Sequence, residues 1–213
     1  VRRSELFAPE RKFPFLFLCL LFAGLDGCAL FKPSVVPAVS QNEERWLAAI
    51  QRKGWALRGR IGVQGSDDSW HGSLRWRYRS GHDVLKISGP LGQGGVVVEV
   101  WPDRIRLTRY DGQVQESNHP EVLLRRLLGV AVPLGKLHFW VLGMPAPGSA
   151  RLQYGPGRRL SVLSQAGWRI EYPRYRRVDS GVLPAKLIMN GPGGVRVKLI
   201  IDRWEAGVES RSA

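Results

Sequence analysis

From Leu74 to Arg79 the chain alternates without a slip, with Leu74, Trp76 and Tyr78 on one side and Arg75, Arg77 and Arg79 on the other. Successive side chains of a strand point to opposite faces, so this pattern specifies a strand with one apolar and one charged face. The same period sets Leu57, Ile61 and Val63 against Arg58 and Arg60, and Ile105 and Leu107 against Arg104 and Arg106. It returns where Trp168, Ile170 and Tyr172 alternate with Arg169 and Glu171. Strands with one wet face build antiparallel sheets, and the turn pairs Ser80-Gly81, Asp111-Gly112 and Asn190-Gly191 fall at hairpin intervals. Strands are expected to resume at about Arg158 and run to Trp204, with loops from Pro173 to Val182 and from Gly191 to Gly194.

Three stretches leave this rhythm. A helix is expected from Glu43 to Lys53, with Asn42 as N-cap, Gly54 as its stop and Trp46, Leu47 and Ile50 as one stripe. A second opens at Pro120 after Asn118, with Leu123, Leu124, Leu127 and Leu128 on its apolar side. A third runs from Leu134 to Leu142, with Leu137, Trp140 and Val141 together.

The start of the chain has another character. Arg2, Arg3, Arg11 and Lys12 precede an apolar run from Phe13 to Leu25, and Gly27 precedes Cys28, the plan of a bacterial lipoprotein signal. A spanning helix needs about 20 apolar residues, and this run is shorter. Residues 1–27 are therefore expected to be removed, leaving Cys28 as the first and only cysteine. Asp26 departs from the small or apolar residue usual at such a site. Val1 stands where methionine would open the chain, which implies an alternative start codon or a trimmed start. Residues 28–41, with Pro33 and Pro37, read as a tether, residues 42–207 as one domain and residues 208–213 as a tail.

Lysine and arginine outnumber aspartate and glutamate 32 to 18, a net charge of +14. Such an excess suits nucleic acid, an anionic membrane surface or an acidic partner, and a secretion signal disfavours the first. Catalysis is not expected. His71, His82, His119 and His138 have no metal-ligand spacing, there is no Gly-x-Ser-x-Gly elbow, and Cys28 would be acylated. The glycine-rich segment from Gly89 to Gly95 lacks the Lys-Ser/Thr ending of a P-loop. Leu91, between Pro90 and Gly92, is either a leucine folded back on the sheet or an apolar finger that touches lipid. The eight tryptophans are either plain core or the lining of a pocket for acyl chains.

An ordered set of segments carries a resemblance. Trp55-Ala56-Leu57-Arg58-Gly59-Arg60-Ile61, Ser88-Gly89-Pro90-Leu91-Gly92, Pro133-Leu134 with Trp140 and Gly143, Gln165-Ala166-Gly167-Trp168-Arg169-Ile170-Glu171-Tyr172 and Pro184 resemble the LolB family of outer-membrane lipoprotein receptors. The match runs in order across nearly all of the chain after Cys28. It implies a mainly β fold with an α lid, an incomplete antiparallel β-barrel (half-barrel) around a hydrophobic cavity covered by short helices. It also implies a lipid-anchored receptor on the periplasmic face of the outer membrane of a Gram-negative bacterium. Such a receptor takes lipoproteins from the periplasmic carrier LolA and inserts them into the inner leaflet without an energy source. By the same resemblance Cys28 carries N-acyl and S-diacylglycerol lipid, and no other cofactor or metal is expected. Leu91, with Pro90 and Gly92, forms a membrane-insertion loop, and Trp76, Trp140, Trp168 and Trp204 belong to the cavity and its lid. Ala29 is compatible with outer-membrane sorting. The implied partners are LolA, acylated cargo and the bilayer, with no nucleic acid and a monomeric domain. The alternative is a scaffolding envelope lipoprotein whose arginine-rich face binds an acidic partner and whose tryptophans fill a core.

Overall fold

Among the described residues, the alternating segments form eleven strands hydrogen-bonded into one antiparallel sheet. In chain order they are β1 (Trp55–Gln64), β2 (Ser69–Arg79), β3 (His82–Ser88), β4 (Gly95–Val100), β5 (Ile105–Arg109) and β6 (Val114–Ser117), then β7 (Arg151–Tyr154), β8 (Leu160–Gln165), β9 (Trp168–Val178), β10 (Gly181–Asn190) and β11 (Arg196–Ala206). The computed structural model describes residues 41–65, 69–90, 94–123, 133–179 and 181–207. The signal segment, Cys28, the tether as far as Ser40 and the tail lie outside these residues, as do Leu91, Gly92, Leu124, Leu127 and Leu128; Gln41, assigned to the tether from the sequence, is the first residue of a helix.

The strand order β6-β5-β4-β3-β2-β1-β11-β10-β9-β8-β7 describes two meanders joined at their first and last strands. Trp55 pairs with Ala206 and Gln64 with Arg196 along that seam. The outermost strands, β6 and β7, do not pair with each other, so the barrel is incomplete. One face carries the core, with Leu57, Leu74, Trp76, Leu85, Leu107, Leu199 and Ile201 buried. The opposite face carries Arg58, Arg60, Arg75, Arg77 and Lys86, all exposed.

Two sequence expectations change here. The loop expected from Pro173 to Val182 is mostly strand, because β9 runs through Pro173 to Val178 and β10 begins at Gly181. Pro173 is tolerated because the β9–β10 register slips around Lys186, where no regular ladder bond asks for its missing N–H. Strands also resume earlier than Arg158, with β7 at Arg151.

Helix α1 spans Gln41–Lys53, which puts Asn42 inside the first turn rather than at the cap. It stops at Gly54, whose N–H bonds the carbonyl of Ile50 at 2.8 Å with φ at +91°. Ile50 is buried, and Trp46 and Leu47 pack against the same core. Trp46 lies on Gly181, where an added Cβ would meet the indole at 2.2 Å. The turn into β10 is therefore a seat that only glycine provides. A helical turn opens at Pro120, and helix α2 spans Leu134–Val141.

Candidate functional site

The inner face of the sheet and α2 enclose a cavity of about 130 Å³. Ile61, Val63, Trp76, Trp168, Met189 and Val197 line it from the sheet, and Leu134, Leu137 and Val141 from the helix. Every described residue on its wall is apolar. Trp70, 37% exposed, stands where the wall meets solvent. The strand period explains this lining: the inward positions of β1, β2, β10 and β11 that reach the cavity, among them Ile61, Val63, Trp76, Leu187, Met189 and Val197, are apolar, so their faces converge without a polar group.

The polar anchors of α2 cluster at its C-terminal end. Trp140 Nε1 donates to Gln165 Oε1 at 2.8 Å, and the Tyr172 hydroxyl donates to the Trp140 carbonyl at 3.0 Å. Gln165 is itself buried. Its Oε1 also accepts from the Ala146 N–H at 3.0 Å, and its Nε2 donates to the Ala146 carbonyl at 2.7 Å. One side chain at the end of β8 thus ties down both the helix end and the segment at Ala146 that follows it. At the other end Leu134 and Leu137 hold by apolar contact, and the N-terminal cap Pro133 provides no side-chain hydrogen bond.

A titratable pair sits between helix and sheet. Asp83 is buried on β3 and accepts a 2.7 Å hydrogen bond from Trp76 Nε1. His138 of α2 faces it, Nδ1 to Oδ2 at 3.8 Å, and stacks on Tyr78 with ring centroids 5.0 Å apart. Burial raises the Asp83 carboxyl from 3.8 to about 7, against the opposing pull of the Trp76 bond. Burial lowers His138 from 6.5 to about 4. Both groups are pushed toward their neutral forms, as expected where charge is poorly solvated.

The four tryptophans named from the sequence fall in three places. Trp76 and Trp168 line the cavity. Trp140 is fully buried at the anchored end of α2, its ring 6.2 Å from that of Trp168. Trp204 lies off the cavity wall, donating to the Pro184 carbonyl at 2.8 Å and packing edge-on against Trp55 at 5.6 Å. Trp55 also meets Trp76 at 5.2 Å, so these rings form a cluster behind the cavity. Pro90 is exposed at the start of the β3–β4 connection, whereas Leu91 and Gly92 lie outside the described residues. The sequence assigns no role to Asp83, His138 or Gln165. Asp83 shares the inward period of Leu85 and Ile87, a polar residue on an apolar face, which was the available signal. No group of three metal-ligating side chains is found among the described residues.

An unclosed antiparallel sheet with an all-apolar chamber under a short helix defines a class, the half-barrel with a lidded cavity. Within it, the chain belongs to the LolB family: the family model of the outer membrane lipoprotein LolB matches residues 53–204. The outer-membrane lipoprotein LolB of Nitrosococcus oceani is 34% identical over 197 residues, which cover 90% of this chain and 96% of that one. Its counterpart in Chromohalobacter salexigens is 33% identical, covering 87% of each chain. That of Pseudomonas aeruginosa is 35% identical over 85% of this chain and 90% of its own. Among solved structures, a LolA superfamily protein from Nitrosomonas europaea aligns with a TM-score of 0.45 at 10% identity, over 79% of this chain and 94% of that one. The chain is an outer-membrane lipoprotein and not an enzyme.

Proposed function

We propose that this lipoprotein accepts acylated lipoproteins from the periplasmic carrier LolA and inserts them into the outer membrane, holding their acyl chains in the cavity under α2. The observation that carries this reading is a chamber with an entirely apolar described wall and a helix for a roof. Each exposed methylene costs about 0.8 kcal/mol, so a chain of about 15 methylenes costs on the order of 12 kcal/mol in water. Only an apolar container carries it, and a better-fitting container draws it from the first. A tenfold preference needs about 1.4 kcal/mol, so no nucleotide is required.

The chamber's size adds a step. A cavity of about 150 Å³ holds one benzene, and this one is about 130 Å³, so a whole acyl chain needs the chamber to widen, and the movable wall in this reading is α2. Because its polar anchors sit at Trp140, α2 lifts from its Leu134 end. In this reading Trp76 and Trp168 are walls, Trp140 is the pivot and Trp204 supports the closed end. Cys28 carries the lipid anchor, and Leu91, flanked by Pro90 and Gly92, touches the bilayer during insertion.

The decisive test mixes the protein with a purified complex of LolA and a lipoprotein in the absence of nucleotide. Cargo moves to this protein if the proposal holds; cargo that stays on the carrier sinks it. The scaffolding alternative is separated by a fluorescent fatty acid, which finds no site in a filled core.

A further inference from the structure

The face of the sheet opposite the cavity carries a feature the transfer reading does not use. Arg203 of β11 pairs with Arg58 of β1, Arg58 with Arg75 of β2, and Arg75 with Lys86 of β3. Four cationic side chains thus stand directly opposite one another across four adjacent strands, all exposed. Arg77 lies beside Arg75 on the same face. Glu205 reaches both ends of one pair, 3.9 Å from Arg58 and 3.7 Å from Arg203. Among the described residues no ion pair reaches Arg75, Arg77 or Lys86. The row borders a shallow depression of about 450 Å³, with Glu99 and Glu205 at its margin.

Like charges directly opposite in a sheet repel. Strands lie about 4.8 Å apart, inside the screening distance of about 8 Å at physiological salt. The row therefore carries a standing repulsion that a planar array of anions relieves. The chain belongs to a family of outer-membrane lipoproteins, so a surface of that kind is at hand. If Cys28 is the anchor, as proposed, the twelve residues from Ala29 to Ser40 reach at most roughly 40 Å, and confinement of that kind makes weak contacts effective.

We infer that the outer face of β11, β1, β2 and β3 docks on anionic phospholipid headgroups and holds the domain with α2 turned away from the bilayer. This rests on the membrane-anchored reading of the chain. It places the cavity roof where a soluble carrier meets it, and it makes insertion of cargo a second orientation reached by release of this face.

The test uses the lipidated protein in phosphatidylcholine vesicles with or without phosphatidylglycerol, both containing a headgroup-linked quencher. A fluorophore is placed at Ser73→Cys on the outer face, or at Gly135→Cys on α2. The expected result is stronger quenching at position 73 with phosphatidylglycerol, reversal in high salt, and little quenching at position 135 in either vesicle. The variant Arg58→Glu/Arg75→Glu/Lys86→Glu abolishes the difference, at a factor of about five in docked population for each basic group removed. Should it fail to bind a fluorescent fatty acid, and so be misfolded, the Arg→Gln and Lys→Gln equivalents replace it. Equal quenching in the two vesicle types, or quenching unchanged in the variants, overturns the docking surface, and quenching at position 135 overturns the orientation. Protein that floats with neither vesicle removes the anchor reading and the proposal with it.

Discussion

Asp83 of β3 and His138 of α2 face each other between sheet and helix, and their titrations run in opposite directions. The folded state raises Asp83 from 3.8 to about 7, so its contribution is complete at low pH and is lost as pH rises from about 4 to 7. His138 is lowered from 6.5 to about 4, so its contribution is complete above 6.5 and is lost as pH falls toward 4. Over their shared window the two losses run in opposite directions and largely cancel, and the parent's stability is nearly flat in this respect. Asp83→Asn is expected to leave a protein whose stability falls as pH is lowered from 6.5 to 4. His138→Gln is expected to give the reverse, a fall from pH 4 to 7 on the order of 3 kcal/mol, or roughly 6–12 °C in Tm. Thermal melts at a series of pH values decide it: slopes in both variants that match the parent would sink the compensation. At Leu91 the expectation concerns membrane contact. Leu91→Glu should accept cargo normally yet insert it into liposomes at least about tenfold more slowly, the cost of presenting a charge to lipid; equal insertion rates would remove the loop's role.

Helix α2 is both roof and ligand wall, so filling beneath it separates binding from folding. Leu137→Trp places a larger ring in the chamber and is expected to weaken fatty-acid binding at least tenfold, about 1.4 kcal/mol, with Tm unchanged or raised. Undiminished probe fluorescence would show that the ligand sits elsewhere. For α1 the seat is Gly181, and Gly181→Val is expected to cost about 2 kcal/mol or more by overpacking, about 4–8 °C in Tm. A circular-dichroism melt indistinguishable from the parent would mean that Trp46 simply rotates aside. Strands with a wet face announced themselves through their period, as at Leu74 to Arg79, and α1 through the spacing of Trp46, Leu47 and Ile50. The passage of β9 through Pro173 was hidden because its tolerance comes from slips in the partner strand β10, a non-local cause. Likewise the period shows that Trp76 and Trp204 point inward, yet only the register shows that one reaches the cavity and the other packs behind it on Trp55. Gln165 stands out in the sequence only within a segment that resembles the family. Its importance depends on Trp140 and Ala146, whose places relative to it are set by the fold.

The molecule as a whole divides its labour between two sides of one sheet, apolar within and cationic without. Removal of Cys28 is expected to leave acceptance of cargo from the carrier unchanged, since the cavity and its roof lie within residues 55–199, while delivery to membranes declines with loss of the anchor. A Cys28→Ala protein that no longer accepts cargo in solution would mean that the lipid itself completes the site. The seam between β1 and β11 has a consequence in time. Without β11, the meander β1–β6 and the meander β7–β10 share no strand pairing among the described residues, and each exposes an unpaired edge that invites association. Pairing of the first strand with the last is the longest-range closure the sheet contains, a slow kind of contact to form. A chain that emerges N-terminus first therefore cannot complete its sheet until the strand ending at Ala206 has been delivered, so its topology delays folding while the polypeptide is still in transit.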